Sequence, residues 1–159
     1  MSRRSDPVNA PTQHLTLIGC SAHKLPHAAN ARDLYQGQLF KASIRYADAH
    51  DHAWAILSAK HGLVEPDRFL EPYDLRLSTH RMLQRAWARS VDLQLLECYP
   101  RLTHATLLAG AQYRTELVPL LQARGILVTA PLQKLGIGQQ KAKLKRMLLL
   151  HYREVLPNV

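Results

Sequence analysis

Two stretches of the sequence bring together side chains that can perform acid–base or nucleophilic chemistry. The first is Ser58-Ala59-Lys60-His61-Gly62, which four carboxylates follow between residues 65 and 74. A carboxylate close to a histidine can act as a general base, and carboxylate oxygens also bind divalent metals. Asp74 is the most constrained of these acids, because Pro72 fixes the backbone just before it. Two others are typical of a solvated acidic loop: Glu65 and Asp67.

The second stretch is Gly19-Cys20-Ser21-Ala22-His23-Lys24. Its small side chains would let a ligand approach backbone N–H groups, and Lys24 could hold a phosphate or a carboxylate. The pattern differs from the GxxxxGK[ST] phosphate loop. Cys20 is a candidate nucleophile if a nearby cation lowers its pKa, and a buried cysteine at a strand end is the alternative.

Alternating strands and helices are predicted to position these stretches. Apolar runs typical of buried strands occur four times, at residues 15–18, 53–57, 105–109 and 126–129. Helical patterns follow them, at residues 31–50, from Ser78 or Thr79 to residue 98, at 113–123 and at 137–153. This alternation predicts an α/β fold: a three-layer domain with a four-stranded, mainly parallel sheet flanked by helices.

The domain organisation follows from the length of the chain. With 159 residues, the chain can build one hydrophobic core, and we predict a single domain over residues 15–159. Residues 1–14 are polar and contain two prolines, which predicts a flexible N-terminal arm. The second helix is predicted to bury one stripe: Leu83, Trp87, Val91 and Leu95.

Ligands of parallel sheets bind beyond the carboxyl ends of the strands. The residues that follow the four predicted strands should therefore gather along one edge of the sheet and form the functional site. The polar or small residues at these ends include Cys20, Ser21, Lys24, Ser58, Lys60, His61, Gly110, Tyr113 and Gln133.

The charge balance favours a polyanionic partner. Lys and Arg number 21 against 12 Asp and Glu, which gives a net charge of +9. Such a field attracts nucleic acid, and a basic enzyme without such a partner is the alternative. Arginines recur every four residues in the second helix, and residues 134–153 carry six cations and no acid. The predicted contacts to a DNA backbone are Arg81, Arg85, Arg89, Lys141, Lys145 and Arg146.

Other features exclude several classes of protein. The two cysteines lie far apart without a CxxC spacing, which favours a reducing compartment, the cytoplasm. The sequence has no run of about 18 apolar residues that could span a membrane. The nine histidines lack the ligand spacing of a zinc site, so neither a metal nor another cofactor is expected. A monomer is assumed, and the oligomeric state stays open.

Several spaced motifs together resemble a known group of proteins. They are Gly19-Cys20-Ser21-x-x-Lys24, Ala31-x-Asp33-Leu34-Tyr35, Leu57-Ser58 with Gly62-Leu63, Pro72-Tyr73-Asp74, Leu108-Ala109-Gly110-x-x-Tyr113 and Gly136-Ile137-Gly138-Gln139. The sequence resembles a prokaryotic family of small uncharacterised domains that is distantly similar to the YaaA peroxide-stress proteins, over about residues 15 to 150. YaaA-like proteins bind DNA, and their core is similar to the uracil-DNA glycosylase fold.

The resemblance implies a DNA-acting enzyme, most concretely a glycosylase that flips a damaged or modified base into a pocket. Asp74 or Asp33 would supply the carboxylate, His61 or Lys60 would assist the leaving base, and Ser21 would lie with Lys24 near the phosphates. Lys24 or Lys60 could instead attack the sugar and form a Schiff base. The remaining residues expected to line the substrate site are Cys20, Tyr35, Ser58, Tyr73, Gly110 and Tyr113.

The role of the two tyrosines and the function of the protein both stay open at this point. Tyr35 or Tyr73 would stack on the flipped base, or either would be a core tyrosine. The protein would be a glycosylase, a non-enzymatic DNA-binding protein of the stress response, or an enzyme that processes a nucleotide or nucleobase. The chain departs from uracil-DNA glycosylases after the first strand, where Cys20-Ser21-Ala22 replaces their water-activating turn.

Overall fold

The computed structural model describes residues 13–50 and 52–155, and a five-stranded sheet lies at its centre. The strands in chain order are β1 (Gln13–Gly19), β2 (Ala29–Asn30), β3 (Ala53–Ser58), β4 (Gly62–Val64), β5 (Phe69–Leu70), β6 (Leu102–Leu108) and β7 (Leu127–Thr129). The central sheet has the order β4-β3-β1-β6-β7, and β2 pairs with β5 separately. Strands β3, β1, β6 and β7 are parallel, whereas β4 is antiparallel to β3.

Within the described residues, five helices flank the sheet: α1 (Ala31–Leu34), α2 (Gln38–Ala49), α3 (Arg81–Cys98), α4 (Ala111–Ala123) and α5 (Ile137–Val155). Successive strand residues point to opposite faces. Leu15 and Leu17 therefore pack against α3 and α4, and Ile18 packs against α1 and α2. Helix α5 lies on α2, where Leu144 shares a small core with Tyr46. The predicted mainly parallel α/β sheet flanked by helices is confirmed.

The prediction of four strands is wrong, because the polar stretch after β3 turns back into a fifth strand. Gly62 adopts φ +71°, a left-handed conformation that glycine tolerates best, and the chain then runs antiparallel along β3. Leu63 and Val64 are buried on opposite faces of this short edge strand. Three residues are too few to show the alternation that predicts a strand.

The predicted helix over residues 31–50 is also wrong, because the structure contains two helices there. Tyr35 is extended, with φ −83° and ψ 125°. Its neighbours bond to the loop after β1 instead of continuing a helix: Leu25 N–H donates to the Leu34 carbonyl at 2.8 Å, and Gln36 N–H donates to the His23 carbonyl at 2.8 Å. This pairing holds the Cys20–Lys24 loop against the helical layer.

The apolar stripe predicted for α3 is partly wrong. Val91 and Leu95 are buried and Trp87 is partly buried, but Leu83 is 58% exposed. Ala88 occupies the core instead, because a spacing of four residues drifts by about 40° at each step around the helix and carries Leu83 away from the buried face. The helix begins at Arg81 rather than directly after Ser78, whose Oγ accepts a hydrogen bond from the His80 N–H at 3.0 Å.

The boundaries of the first strand differ from the expectation as well. Gln13 and His14, predicted to belong to the N-terminal arm, form the start of β1. The rest of that predicted arm, residues 1–12, lies outside the described residues. Within the described ranges, the helices are all too short or too polar to cross a membrane.

Candidate functional site

The topology places a crevice between the carboxyl ends of β1 and β6. The chain leaves β1 towards α1 and α2 on one face of the sheet, and it leaves β6 towards α4 on the other. Two adjacent parallel strands whose connections diverge in this way form the usual binding site of open α/β sheets. Gly19 ends β1, and its close contact with Ala109 leaves little room for a side chain, because an added Cβ would lie 3.2 Å from the Ala109 Cβ.

Two adjoining cavities open at this crevice. The crevice cavity, of about 300 Å³, lies between the ends of β1 and β6, the start of α2 and Ile137. The loop cavity, of about 250 Å³, lies between the loop after β1 and residues 74–77. Both are lined by Cys20, Ser21 and Tyr113, which therefore form the wall between them. The expected gathering of strand ends is thus found for β1 and β6.

Ser21 is fixed in this wall by two hydrogen bonds. Its Oγ donates to the His23 carbonyl at 2.7 Å and accepts the Gly37 N–H at 3.0 Å. Gly37 permits this contact, because an added Cβ would lie only 2.7 Å from the Ser21 Cβ. Helix α2 starts directly after Gly37, so this bond ties the loop after β1 to the start of the helix.

A chain of three hydroxyl groups lies behind the wall. Ser58 Oγ lies 2.6 Å from Tyr73 Oη, which lies 2.6 Å from Tyr35 Oη. Ser58 Oγ also accepts the N–H groups of residues 60 and 61, so both its lone pairs are occupied and its proton must go to Tyr73. Tyr73 then donates to Tyr35, whose own proton stays available for a further acceptor.

The phenol groups of this region remain protonated at neutral pH. Burial raises the pKa of Tyr35, and burial together with the nearby Cys20 raises the pKa of both Tyr73 and Tyr113. Tyr113 Oη lies 3.4 Å from Cys20 Sγ. The site therefore offers neutral hydroxyl donors rather than phenolates.

Tyr35 and Tyr73 differ in what they can touch. Tyr35 is fully buried among core residues, which favours the core interpretation over stacking on a substrate base. Tyr73 is partly buried, with its hydroxyl in the chain and its ring under Lys24, whose Nζ lies 4.4 Å from the ring centroid. Neither tyrosine lines the two cavities, in contrast to Tyr113.

The cations proposed for catalysis occupy different places. Lys24 lines the loop cavity. Lys60 is exposed, and its Nζ lies 5.6 Å from the centroid of the Tyr73 ring. His61 meets the same ring edge-on at 5.3 Å between centroids, and burial, with the charges of Arg68 and Lys60, lowers its pKa. Neither Lys60 nor His61 lines the cavities, so Lys24 is the one of these three that faces them.

The candidate carboxylates are separated by the fold. Asp74 lines the loop cavity with Lys24 and Ser21. Asp33 is exposed on α1 and lines neither cavity. Glu65 accepts a hydrogen bond from the Tyr99 hydroxyl at 2.8 Å, and Asp67 pairs with Arg32 at 3.2 Å, both at exposed positions. Among the acids predicted for catalysis, the structure thus brings only Asp74 to the described cavities.

The buried end of β3 has a supporting role. Trp87 Nε1 donates to the Ser58 carbonyl at 2.9 Å, and the Trp87 ring meets Tyr113 at 5.3 Å between centroids. Trp87 therefore links β3 to the wall of the cavities. Gly110, predicted to line the substrate site, lies in the crevice cavity at the N-cap of α4.

The basic residues predicted to bind DNA lie on two different helices, α5 and α3. Lys141 and Lys145 lie on a groove between α2 and α5, and Arg146 is exposed on α5. On α3, Arg89 is exposed, whereas Arg81 and Arg85 each bond Glu116 of α4 at 3.3 Å. These arginine side chains remain at least half exposed, whereas the Glu116 side chain that they share is only 16% exposed.

Gln38 and Arg76 are among the lining residues that were not predicted from the sequence. Gln38, in the first turn of α2, lines the crevice cavity, and Arg76 lines the loop cavity next to Asp74. The helix prediction over residues 31–50 concealed Gln38, because it placed this residue in the middle of a helix rather than at an end. Arg76 follows the conspicuous Pro72-Tyr73-Asp74 motif by two residues and carried no signal of its own.

The described part of the chain contains no group of three or more His, Cys, Asp or Glu side chains placed to hold a metal ion. Residues 15–146 match the model of a family of unknown function (DUF6884). None of the curated proteins compared with the sequence matches it.

Proposed function

The chain belongs to this family of unknown function, and we propose that it is a DNA glycosylase that binds a flipped, damaged or modified base at the crevice between β1 and β6. One observation carries the proposal: Asp74, Lys24 and Arg76 line a cavity that shares a wall with the crevice cavity. A carboxylate, cations and the neutral Tyr113 hydroxyl thus line two adjoining cavities. This set suits a reaction in which positive charge develops on a sugar and negative charge on a departing base.

The proposed reaction assigns one step to each side chain. The N-glycosidic bond breaks, and the base leaves with the bonding electron pair while the sugar becomes oxocarbenium-like. Asp74 stabilises that cation and accepts a proton from the water that attacks the sugar carbon. Lys24 donates a hydrogen bond to the departing base. This role was also expected of His61 or Lys60, but neither of them lines the cavities. Tyr113 and Cys20 contact the base from the shared wall.

The architecture supports the wider proposal that the fold is similar to that of uracil-DNA glycosylase and YaaA-like proteins. A central β1, a crossover to β3 on one side and a second crossover to β6 on the other give a mainly parallel three-layer domain. Fold alone does not define a reaction, so the activity depends on the site. The free thiols of Cys20 and Cys98 support a reducing compartment, and we propose the cytoplasm.

The charge distribution supports DNA as the substrate. The net charge is +9, and Lys141 of α5 lines the crevice cavity itself. Phosphates that enter beside this residue would be neutralised close to the bound base. A non-enzymatic DNA-binding protein would need these cations but not the two cavities.

The experiment that tests the function is an abasic-site assay. The protein is incubated with single-stranded and duplex oligonucleotides that carry deaminated, oxidised, alkylated or hypermodified bases, and alkali then converts abasic sites to strand breaks. We expect breaks on one class of base. Breaks that form before alkali treatment would indicate the Schiff-base mechanism. Salt-sensitive binding without breaks on any substrate would contradict a glycosylase and favour a binding protein, and turnover of free nucleotides alone would favour a nucleobase enzyme.

A further inference from the structure

A groove between α2 and α5 adjoins the crevice and has a lining unlike that of either cavity. Its volume is about 550 Å³, and it is lined by Gln38, Lys41, Ala42 and Arg45 of α2 and by Lys141, Leu144, Lys145, Leu148 and Leu149 of α5. Four of these nine residues are cations and none is acidic. Each helix contributes two of the cations, and we call these two pairs the cationic rims; all the other lining residues except Gln38 are aliphatic. We call this surface the α2–α5 groove.

The positive charge of the α2–α5 groove is not neutralised by the contacts that its side chains make. Lys41 Nζ donates to the amide oxygen of Gln36 at 3.1 Å, and Lys141 Nζ donates to that of Gln38 at 2.9 Å. Both acceptors are uncharged. Asp48, the acid of α2, points away and accepts the Trp54 indole N–H at 3.2 Å. An anion that enters the groove therefore meets cations without displacing carboxylates.

The α2–α5 groove and the crevice cavity are continuous. Both are lined by Gln38 and Lys141, whose side chains bond each other at the junction. On each helix the cations lie about one turn apart, Lys41 with Arg45 and Lys141 with Lys145, a rise of about 6 Å. A linear polyanion can therefore contact several cations in succession and still reach the crevice.

We infer that the α2–α5 groove binds the sugar–phosphate backbone of the nucleic acid strand whose base enters the crevice. The phosphates contact the two cationic rims, and the sugars lie against Ala42, Leu144 and Leu148. This inference rests on the proposed function, and it adds Lys41 and Arg45 of α2 to the predicted backbone contacts. Because phosphate contacts position a strand without reading its sequence, the groove would hold one strand at the site whatever bases it carries.

The test measures the salt dependence of oligonucleotide binding to the full chain. Fluorescence anisotropy of a labelled single-stranded oligonucleotide gives the dissociation constant from low to physiological salt. The Lys41→Gln/Arg45→Gln variant should reduce the slope of log affinity against log salt by about 1.4, since each lost phosphate contact contributes about 0.7 for single strands. Its affinity near 0.1 M salt should fall about tenfold or more.

The control variant removes the same charge elsewhere. Arg68 and Arg101 are exposed and lie outside the α2–α5 groove, so Arg68→Gln/Arg101→Gln should leave the slope nearly unchanged. Equal loss of slope in both double variants would overturn the inference, because it would show a field effect of net charge. The thermal midpoint of each variant shows that the fold is retained.

Two outcomes separate this inference from the proposed function. If the groove variant binds DNA with unchanged affinity and slope while the wild-type protein excises a base, the groove assignment fails and the function stands. If the wild-type protein binds no oligonucleotide even at low salt, both fail. Polyglutamate serves as the competing probe: loss of polyglutamate binding with unchanged DNA binding in the groove variant would assign the groove to an acidic peptide and overturn the inference.

Discussion

The hydroxyl oxygens of Tyr35 and Tyr73 lie 2.6 Å apart, although 38 residues separate them in the chain. Tyr35 belongs to the break between α1 and α2, and Tyr73 belongs to the loop that leads to Asp74. Their bond, extended to Ser58, fastens that loop to the end of β3. The position of Asp74 at the loop cavity thus depends on a buried hydrogen bond one residue before it.

The Tyr73→Phe variant should lose about 1–3 kcal/mol of unfolding free energy, because it leaves the Ser58 proton and the Tyr35 oxygen without their buried partner. Urea unfolding measures this loss. Tyr152→Phe is the matched control, since Tyr152 is 49% exposed, and it should change stability little. A Tyr73→Phe variant as stable as the wild type would show that the hydroxyl chain does not hold the loop.

The Gly37→Ala variant should be destabilised, because its new Cβ would lie 2.7 Å from the Ser21 Cβ and 3.1 Å from its Oγ. The Gly37 φ of −63° suits alanine, so the loss, about 1–3 kcal/mol, would come from this overpacking alone.

Gly138→Ala is the matched control for that variant. No neighbouring atom lies within 4 Å of the added Cβ, and Gly138 is the second residue of α5, where alanine should raise the unfolding free energy by at most about 0.5 kcal/mol. Thermal unfolding of both variants gives the comparison. Similar shifts of both midpoints, in either direction, would contradict the contact between Gly37 and Ser21.

The histidines at the opposite end of the sheet should make stability depend on pH. The His14 ring stacks on His52 at 3.7 Å between centroids, and burial, followed by the neighbouring His104 and His50, lowers the pKa of His14. Because the unfolded chain, with its pKa near 6.5, binds this proton more readily, the unfolding free energy should fall as pH drops below about 6.5. Above that pH, His14 is neutral in both the folded and the unfolded chain, and it no longer lowers the unfolding free energy.

Urea unfolding at pH 7.5 and pH 5.5 checks this prediction. The His14→Gln variant should lose less stability between the two pH values than the wild type does. His27→Gln, a change at an exposed loop position, is the control and should keep the wild-type dependence. A His14→Gln variant with the same pH dependence as the wild type would mean that other groups are responsible.

The sequence predicted the parallel strands well, because each is a run of apolar residues between polar ends, as at Leu15–Ile18 and Ala53–Leu57. It could not predict β4, whose three residues become a strand only through pairing with β3. The break at Tyr35 was equally hidden, since it is caused by hydrogen bonds to the loop after β1, far away in the sequence. Local patterns do not encode such partners.

The candidate site was predictable in part for the same reason. Residues that directly follow a strand, such as Cys20, Ser21 and Tyr113 near the ends of β1 and β6, were placed correctly by the rule for parallel sheets. Residues in the long loop depended on its path. Asp74 reaches the loop cavity, whereas Lys60 and His61, which follow β3 directly, are turned aside by the tight hairpin into β4.

The most direct test of the central claim compares Asp74→Asn with Asp33→Asn in the abasic-site assay, on the base that the wild-type protein excises. Both changes remove one exposed carboxylate charge, but only Asp74 lines the loop cavity. Asp74→Asn should reduce the single-turnover excision rate by about 100-fold or more, the usual range for a lost acid–base group, with DNA affinity nearly unchanged. Asp33→Asn should excise at close to the wild-type rate. Excision by Asp74→Asn at the wild-type rate would contradict the account.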